Sequence, residues 1–266
     1  MANGTIRLFV NNGIENFYLR RQAFLFPKSF VPSYSQILRL LHIQPKPEIQ
    51  DTIETSVIDP LKHPDFFGVH QLFTVTDLYN AKVHFGHKIG SLDNRMKSYI
   101  FGSRLGHLII DLDKTAELLR DALNIAAHIA FRDGIILFLC RHPQVTHIVE
   151  RTAKECNEFS HTRFWKEGTF TNSTKKFKAV TRLPDLCIFM NTLNDVLHES
   201  NAVRDAAKMS IPSIGIVDTN CNPNLITYPI PGNDDSPIAI ELYCKLMKEA
   251  ILRGKDARLK LSQIVE

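Results

Sequence analysis

Two histidines three residues apart, His84 and His87 in the run VHFGHK, are the first side chains whose spacing could do chemistry. Joined by an oxygen from Asp111 or Asp218, they would make a mixed nitrogen and oxygen site for a divalent ion. No cysteine or third histidine stands at ligand spacing to complete a zinc site. The plainer reading is that Gly86 turns a loop while the imidazoles hydrogen-bond phosphate or backbone. Asp218, Asp234 and Asp235 form a second group, since clustered carboxylates can hold magnesium for phosphoryl transfer. With Asp111 they allow one enzyme reading, a metal-dependent phosphohydrolase using Asp111, Asp218 and Asp234. The same residues also suit structural work. Asp218-Thr219-Asn220 fits an Asx turn, and the run from Gly232 leads to a helix with Asp235 or Ser236 as its cap and Pro237 in its first position.

Two further stretches mix cations with aromatic rings. One holds Lys88, Arg95, Lys97, Tyr99 and Arg104; the other holds Arg163, Trp165, Lys166, Lys175, Lys176, Lys178 and Arg182. Cations on loops neutralise phosphates and release counterions, and aromatic faces stack on unpaired bases. A solvated lysine face is the competing reading, and the scarcity of acids nearby favours binding.

These residues need a frame, and the apolar pattern supplies one. Residues 107–112 (HLIIDL) are strand-like, and residues 114–131 carry Leu118, Leu119, Ala122, Leu123, Ala126, Ile129 and Ala130 on one helical stripe. Gly134 suits a helix end. Residues 135–140 (IILFLC) are apolar on both faces, as a central parallel strand requires. Pro143 then opens a helix running to about Asn157. The cycle repeats with a strand at 185–190 (DLCIFM), a helix over 196–209, a strand at 212–217 (PSIGIV) and a helix over 238–252. Strands alternating with helices predict an α/β fold, a three-layer sandwich with a parallel sheet of the Rossmann or flavodoxin-like kind. Residues 160–182 interrupt the alternation and are expected to be surface loop and short helix.

Such a fold often serves nucleotides, yet the loops that cradle phosphates are missing. There is no G-x-G-x-x-G, no G-x-x-x-x-G-K-[ST], no G-x-S-x-G and no H-E-x-x-H. The five cysteines are scattered and never in a C-x-x-C pair, which suits a reducing compartment. The Asn172-Ser173-Thr174 triplet is expected to be a chance glycosylation match, because residues 1–47 hold no uninterrupted apolar run of signal-peptide length. No run of about 18 apolar residues exists to span a bilayer.

The net charge of +4 is too small to announce a nucleic-acid partner, but it is unevenly spread. Residues 1–47 contain Arg7, Arg20, Arg21, Lys28, Arg39 and Lys46 against the single acid Glu15. Basic, acid-poor and intermittently apolar, this segment is expected to be a mitochondrial transit peptide, with a basic RNA-touching arm as the alternative. Residues 48–69, with Pro60 and Pro64 among polar neighbours, are expected to be an extended linker. The folded domain is then expected over 70–254 and a tail over 255–266.

Four blocks stand out: HFGHKIGSLDNRMKSYIFG (84–102), HLIIDLDKTAELL (107–119), LPDLCIFMNTLND (183–195) and IPSIGIVDTNCNPNLITYPIPGNDDS (211–236). Together they resemble the small-subunit ribosomal protein S2 family in its mitochondrial form, the last block nearly gapless against the family pattern. Bacterial members insert a long helical hairpin between the Trp-containing loop and the LPD strand; its absence here, with the long N-terminus, resembles the mitochondrial branch. Where the family has two adjacent glycines in that loop, Glu167 replaces the first. The resemblance implies an α/β sandwich without the hairpin and a structural place in the mitochondrial small subunit, in the matrix. It further implies ribosomal RNA and neighbouring ribosomal proteins as partners, with no cofactor, membrane or small-molecule substrate. The RNA-facing residues it implies are His84, His87, Lys88, Arg95, Lys97, Tyr99, Arg104, Arg163, Thr171 and Asn172. Composition adds Trp165, Lys175, Lys176 and Lys178.

Overall fold

A computed structural model describes residues 60–195 and 198–265 of the chain. The expected targeting segment, 1–47, and the first part of the expected linker, 48–59, lie outside the described residues. In chain order the helices are α1 (Val75–Asn80), α2 (Leu112–Phe131), α3 (Thr146–Glu155), α4 (Ser173–Phe177), α5 (Asn201–Lys208) and α6 (Pro237–Val265). A small antiparallel sheet, ordered β1-β3-β2, is made of β1 (Phe85–Lys88), β2 (Ile100–Arg104) and β3 (His107–Ile110). The main sheet contains β4 (Ile136–Leu139), β5 (Phe159–His161) and β6 (Leu186–Phe189). After the short β7 (Leu193–Asp195) and β8 (His198–Glu199) pair, β9 (Ser213–Val217) and β10 (Tyr228–Pro231) complete it.

The main sheet is parallel throughout, ordered β10-β9-β6-β4-β5. Numbered by chain position from the other edge, that is 2-1-3-4-5, the flavodoxin-like order. Period-two alternation explains why both faces are covered. Ile136, Phe138, Leu186, Ile188, Ile214 and Ile216 enter one core with the apolar stripes of α2, α3 and α6. Leu139, Cys187, Phe189 and Val217 enter the other, against α5, Trp165 and Phe170. The three-layer sandwich is therefore as the periodicity predicts.

Local signals account for the α2 boundaries. The Asp111 side chain accepts a hydrogen bond from the backbone N–H of Asp113 and caps the start. At the far end Asp133, not Gly134, takes the left-handed conformation (φ 61°). Gly134 is required for space, since a β-carbon there would lie 2.6 Å from Ile129 Cγ2.

Several expected boundaries move for identifiable reasons. Residues 60–69 are not a free linker: Val69 and Phe67 are buried in the main core, and the Phe67 ring meets His128 edge-on at 4.9 Å. Arg253 Nη1 donates to the Gly68 carbonyl at 2.6 Å, tying this segment to α6. Helix α3 starts at Thr146, three residues after Pro143. Helix α5 is shortened because β7 and β8 take up the preceding residues. β3 pairs antiparallel with β1 and β2 and stays out of the main sheet. Finally α6 absorbs the expected tail, where Arg258 pairs with Asp133 and Lys255 with the buried Glu158.

Candidate nucleic-acid interface

The small sheet is stitched onto the carboxyl ends of β9 and β10. The His87 N–H donates to Thr219 Oγ1 at 3.0 Å, the Asp93 N–H to the Thr219 carbonyl at 2.9 Å, and the Asn233 N–H to the Val83 carbonyl at 3.1 Å. Gly86 is needed at this seam, where a β-carbon would stand 2.5 Å from Thr219 Cγ2. Between the two parts opens a cleft of about 690 Å³ lined by Phe85, His87, Lys88, His107, Asp218 and Asp235, among others.

Inside the cleft the His87 imidazole lies between two carboxylates, with Nδ1 3.0 Å from Asp218 Oδ2 and Nε2 3.4 Å from Asp235 Oδ2. Its pKa is raised to about 9, chiefly by the hydrogen bond to Asp218 and further by the nearby acids, while partial burial opposes the shift. Asp234, beneath them, is held well above the usual carboxylate range by burial and by the negative charges of Asp218 and Asp235. Ligand atoms of His87, Asp218 and Asp235 all lie within 4.8 Å of one another, close enough to hold a cation if the imidazole gave up its proton.

Asp218, Asp234 and Asp235 do lie together, whereas His84 and Asp111 stand apart from them. His84 stacks on Tyr79, ring centroids 4.7 Å apart and 6° from parallel, and stands outside the cluster; burial lowers its pKa. Asp111 caps α2 and lies 3.4 Å from Lys114, so Asp111, Asp218 and Asp234 are not gathered into one centre.

The first basic stretch lies on and beside the small sheet. Lys88, Arg95, Lys97 and Arg104 are exposed, while Tyr99 is half-buried and packs against the second core. Cross-strand register sets Lys88 opposite His107 and His107 opposite Arg104, a row of three basic side chains across the small sheet. In the second stretch Arg163, Thr171, Asn172, Lys175 and Lys178 are exposed. Trp165 is a correction. Its ring is buried between His161 and Phe170, and its Nε1–H donates to the buried Asp205 at 3.1 Å, so it cannot stack on a base. Lys176 is exposed too but bends back onto its own loop, donating to the Lys166 and Glu167 carbonyls and lying 2.6 Å from Thr169 Oγ1.

A family model described as Ribosomal protein S2 matches residues 78–188 and 173–254. The chain belongs to the ribosomal protein S2 family. The small ribosomal subunit protein uS2m of Bos taurus is 56% identical over 206 residues, covering 77% of this chain and 70% of the relative. Bacterial small ribosomal subunit proteins uS2 are also similar. That of Phenylobacterium zucineum is 34% identical over 227 residues (70% of this chain, 76% of its own), and that of Rickettsia typhi is 32% identical over 234 (71% and 78%).

The alignment lengths distinguish the two branches of the S2 family. Seventy per cent of 266 residues is about 186, against 227 aligned positions in the Phenylobacterium protein, so about 40 positions there have no residue of this chain. Seventy-seven per cent is about 205, against 206 positions in the bovine protein, a nearly unbroken match. The two matched segments overlap over residues 173–188, where the bacterial hairpin is expected to be absent.

Some site features escaped sequence reasoning. His107 reads from sequence only as part of a strand, and the register alone sets it beside Lys88 and Arg104. Asp235 reads as a cap from sequence, yet its side chain faces His87. Arg141 follows a core strand in a run without aromatic residues, and its guanidinium lies over the Phe164 ring, 5.3 Å from the centroid. No local signal pairs those two residues.

Proposed function

We propose that the chain is a structural constituent of the small subunit of the mitochondrial ribosome, resident in the matrix, that binds ribosomal RNA and neighbouring ribosomal proteins. The observation that carries this reading is the nearly unbroken 56% identity to bovine small ribosomal subunit protein uS2m. The exposed set Lys88, Arg95, Lys97, Arg104, Arg163, Lys175 and Lys178 supports an RNA-facing role, since loop cations on a rigid body neutralise phosphates with little ordering cost. His87, Thr171 and Asn172 are read as auxiliary contacts, and residues 1–47 as the targeting segment. The chain's own work in this reading is to hold RNA and protein neighbours in place, with no reaction assigned to it.

The test is fractionation of mitochondria carrying a tagged full-length chain on high-salt sucrose gradients. The chain should sediment with small subunits after washing; its recovery at the top of the gradient, with intact subunits below, would refute the reading.

A further inference from the structure

Adjacent strands β4 and β6 send their chains to opposite faces of the main sheet: α3, after β4, packs in one core and α5, after β6, in the other. In an open parallel sheet this switch point leaves a crevice at the carboxyl ends of the strands, where doubly wound proteins bind ligands. Here the crevice is lined by Arg141, Arg163, Asn191, Asn194 and Ser200, with space for only about 20 Å³.

Three features suit the crevice to an anion. First, among the described residues neither Arg141 nor Arg163 has an ion-pair partner and no carboxylate lines the crevice. Second, Arg141 is held in place: its N–H donates to Asn191 Oδ1 at 2.9 Å, its Nη1 to the Asn194 carbonyl at 3.3 Å, and its guanidinium lies over Phe164. A guanidinium restrained this way keeps further donors for a planar fork of acceptor oxygens. Third, helix α5 begins here, and the hydroxyl of its cap residue Ser200 makes no capping bond, so the first-turn N–H groups of Asn201 and Ala202 lack acceptors within the helix.

We propose that this crevice binds a phosphate group between Arg141, Arg163 and the start of α5. Under the ribosomal reading above, on which the choice of source rests, the phosphate is a backbone phosphodiester of RNA. The size of the space limits what enters. About 20 Å³ admits an atom or two of a ligand and excludes a nucleoside, so phosphate oxygens enter while base and sugar stay outside. Phe164, largely exposed beside Arg141, then offers its outer surface to an unpaired base.

The test uses the purified full-length chain with two probes, inorganic phosphate and a fluorescein-labelled oligouridylate. Phosphate should raise the melting temperature of the wild-type chain, and the Arg141→Gln/Arg163→Gln double variant should lose that rise. Oligouridylate binding by anisotropy should weaken at least about tenfold in the double variant, with a salt slope shallower by about 0.7 per lost contact. Arg163→Gln alone removes an exposed side chain that holds nothing else together, and should show about half the change in slope, which separates binding from misfolding. A double variant that retains both responses overturns the proposal. Loss of the phosphate response in a chain whose wild type ignores oligouridylate would uphold the crevice as a phosphate site while removing RNA as its source.

Discussion

His87 Nδ1 lies 3.0 Å from the buried carboxylate of Asp218, and that contact makes the stability of the protein depend on pH in one direction. The folded pKa of His87, about 9, is above the unfolded value of about 6.5. Its contribution is therefore complete below about pH 6.5 and disappears as pH rises through about 9. Asp234, also raised, adds a loss with rising pH. Urea unfolding of the wild type should show stability falling by on the order of 2 kcal/mol between about pH 6 and pH 9.5, and His87→Asn should flatten most of that slope. An equal slope in the variant would show that the ion pair contributes nothing.

The α2–α6 contact predicts a size limit. A β-carbon on Gly254 would lie 2.3 Å from the Ala127 carbonyl oxygen, and backbone on both sides leaves no flexible side chain to yield. Gly254→Ala should cost about 3 kcal/mol through helix separation and lower the melting temperature by roughly 5–10 °C. Calorimetry that finds the variant as stable as the wild type would mean the helices do not approach as described.

Trp165 predicts a separation of stability from binding. In Trp165→Phe the buried Asp205 carboxylate loses the indole N–H at 3.1 Å, a change expected to cost about 3 kcal/mol in urea unfolding. Oligouridylate affinity measured well below the unfolding transition should stay the same. A large loss of affinity with unchanged stability would return Trp165 to the RNA-facing surface.

Neighbouring lysines should behave differently. Lys175 is exposed, and Lys175→Ala should lower the salt slope of RNA binding by about 0.7 without affecting the fold. Lys176 holds the Lys166 and Glu167 carbonyls, so Lys176→Ala should accelerate hydrogen exchange over residues 166–177. Identical exchange profiles for the two variants would count against this division of labour.

The chain's pattern alone determined the layers. ILFL, LCIF and SIGIV are apolar on both faces, and the alanine-rich stripe of α2 recurs at helical spacing; such signals are written in neighbouring residues because each local stretch must bury itself against something. It also determined the family, through blocks long enough to be recognised without a fold. Strand partners were decided only by the tertiary structure. Residues 107–110 read as a strand in any sheet, and only packing sends them antiparallel between β1 and β2. The two short parallel strands β5 and β10 carry too little local pattern to announce themselves; Pro229 and Pro231 are tolerated because β10 lies at an edge. The functional surface divided in the same way. Exposed cations were legible as a charge run, whereas the burial of Trp165 and the engagement of Lys176 with its own loop were not. The meeting of His87 with residues 218 and 219, more than 130 positions away, was equally hidden. Residue type sets what a side chain can do, but contacts across such distances are selected by the packing of the whole domain, and no local segment contains that information.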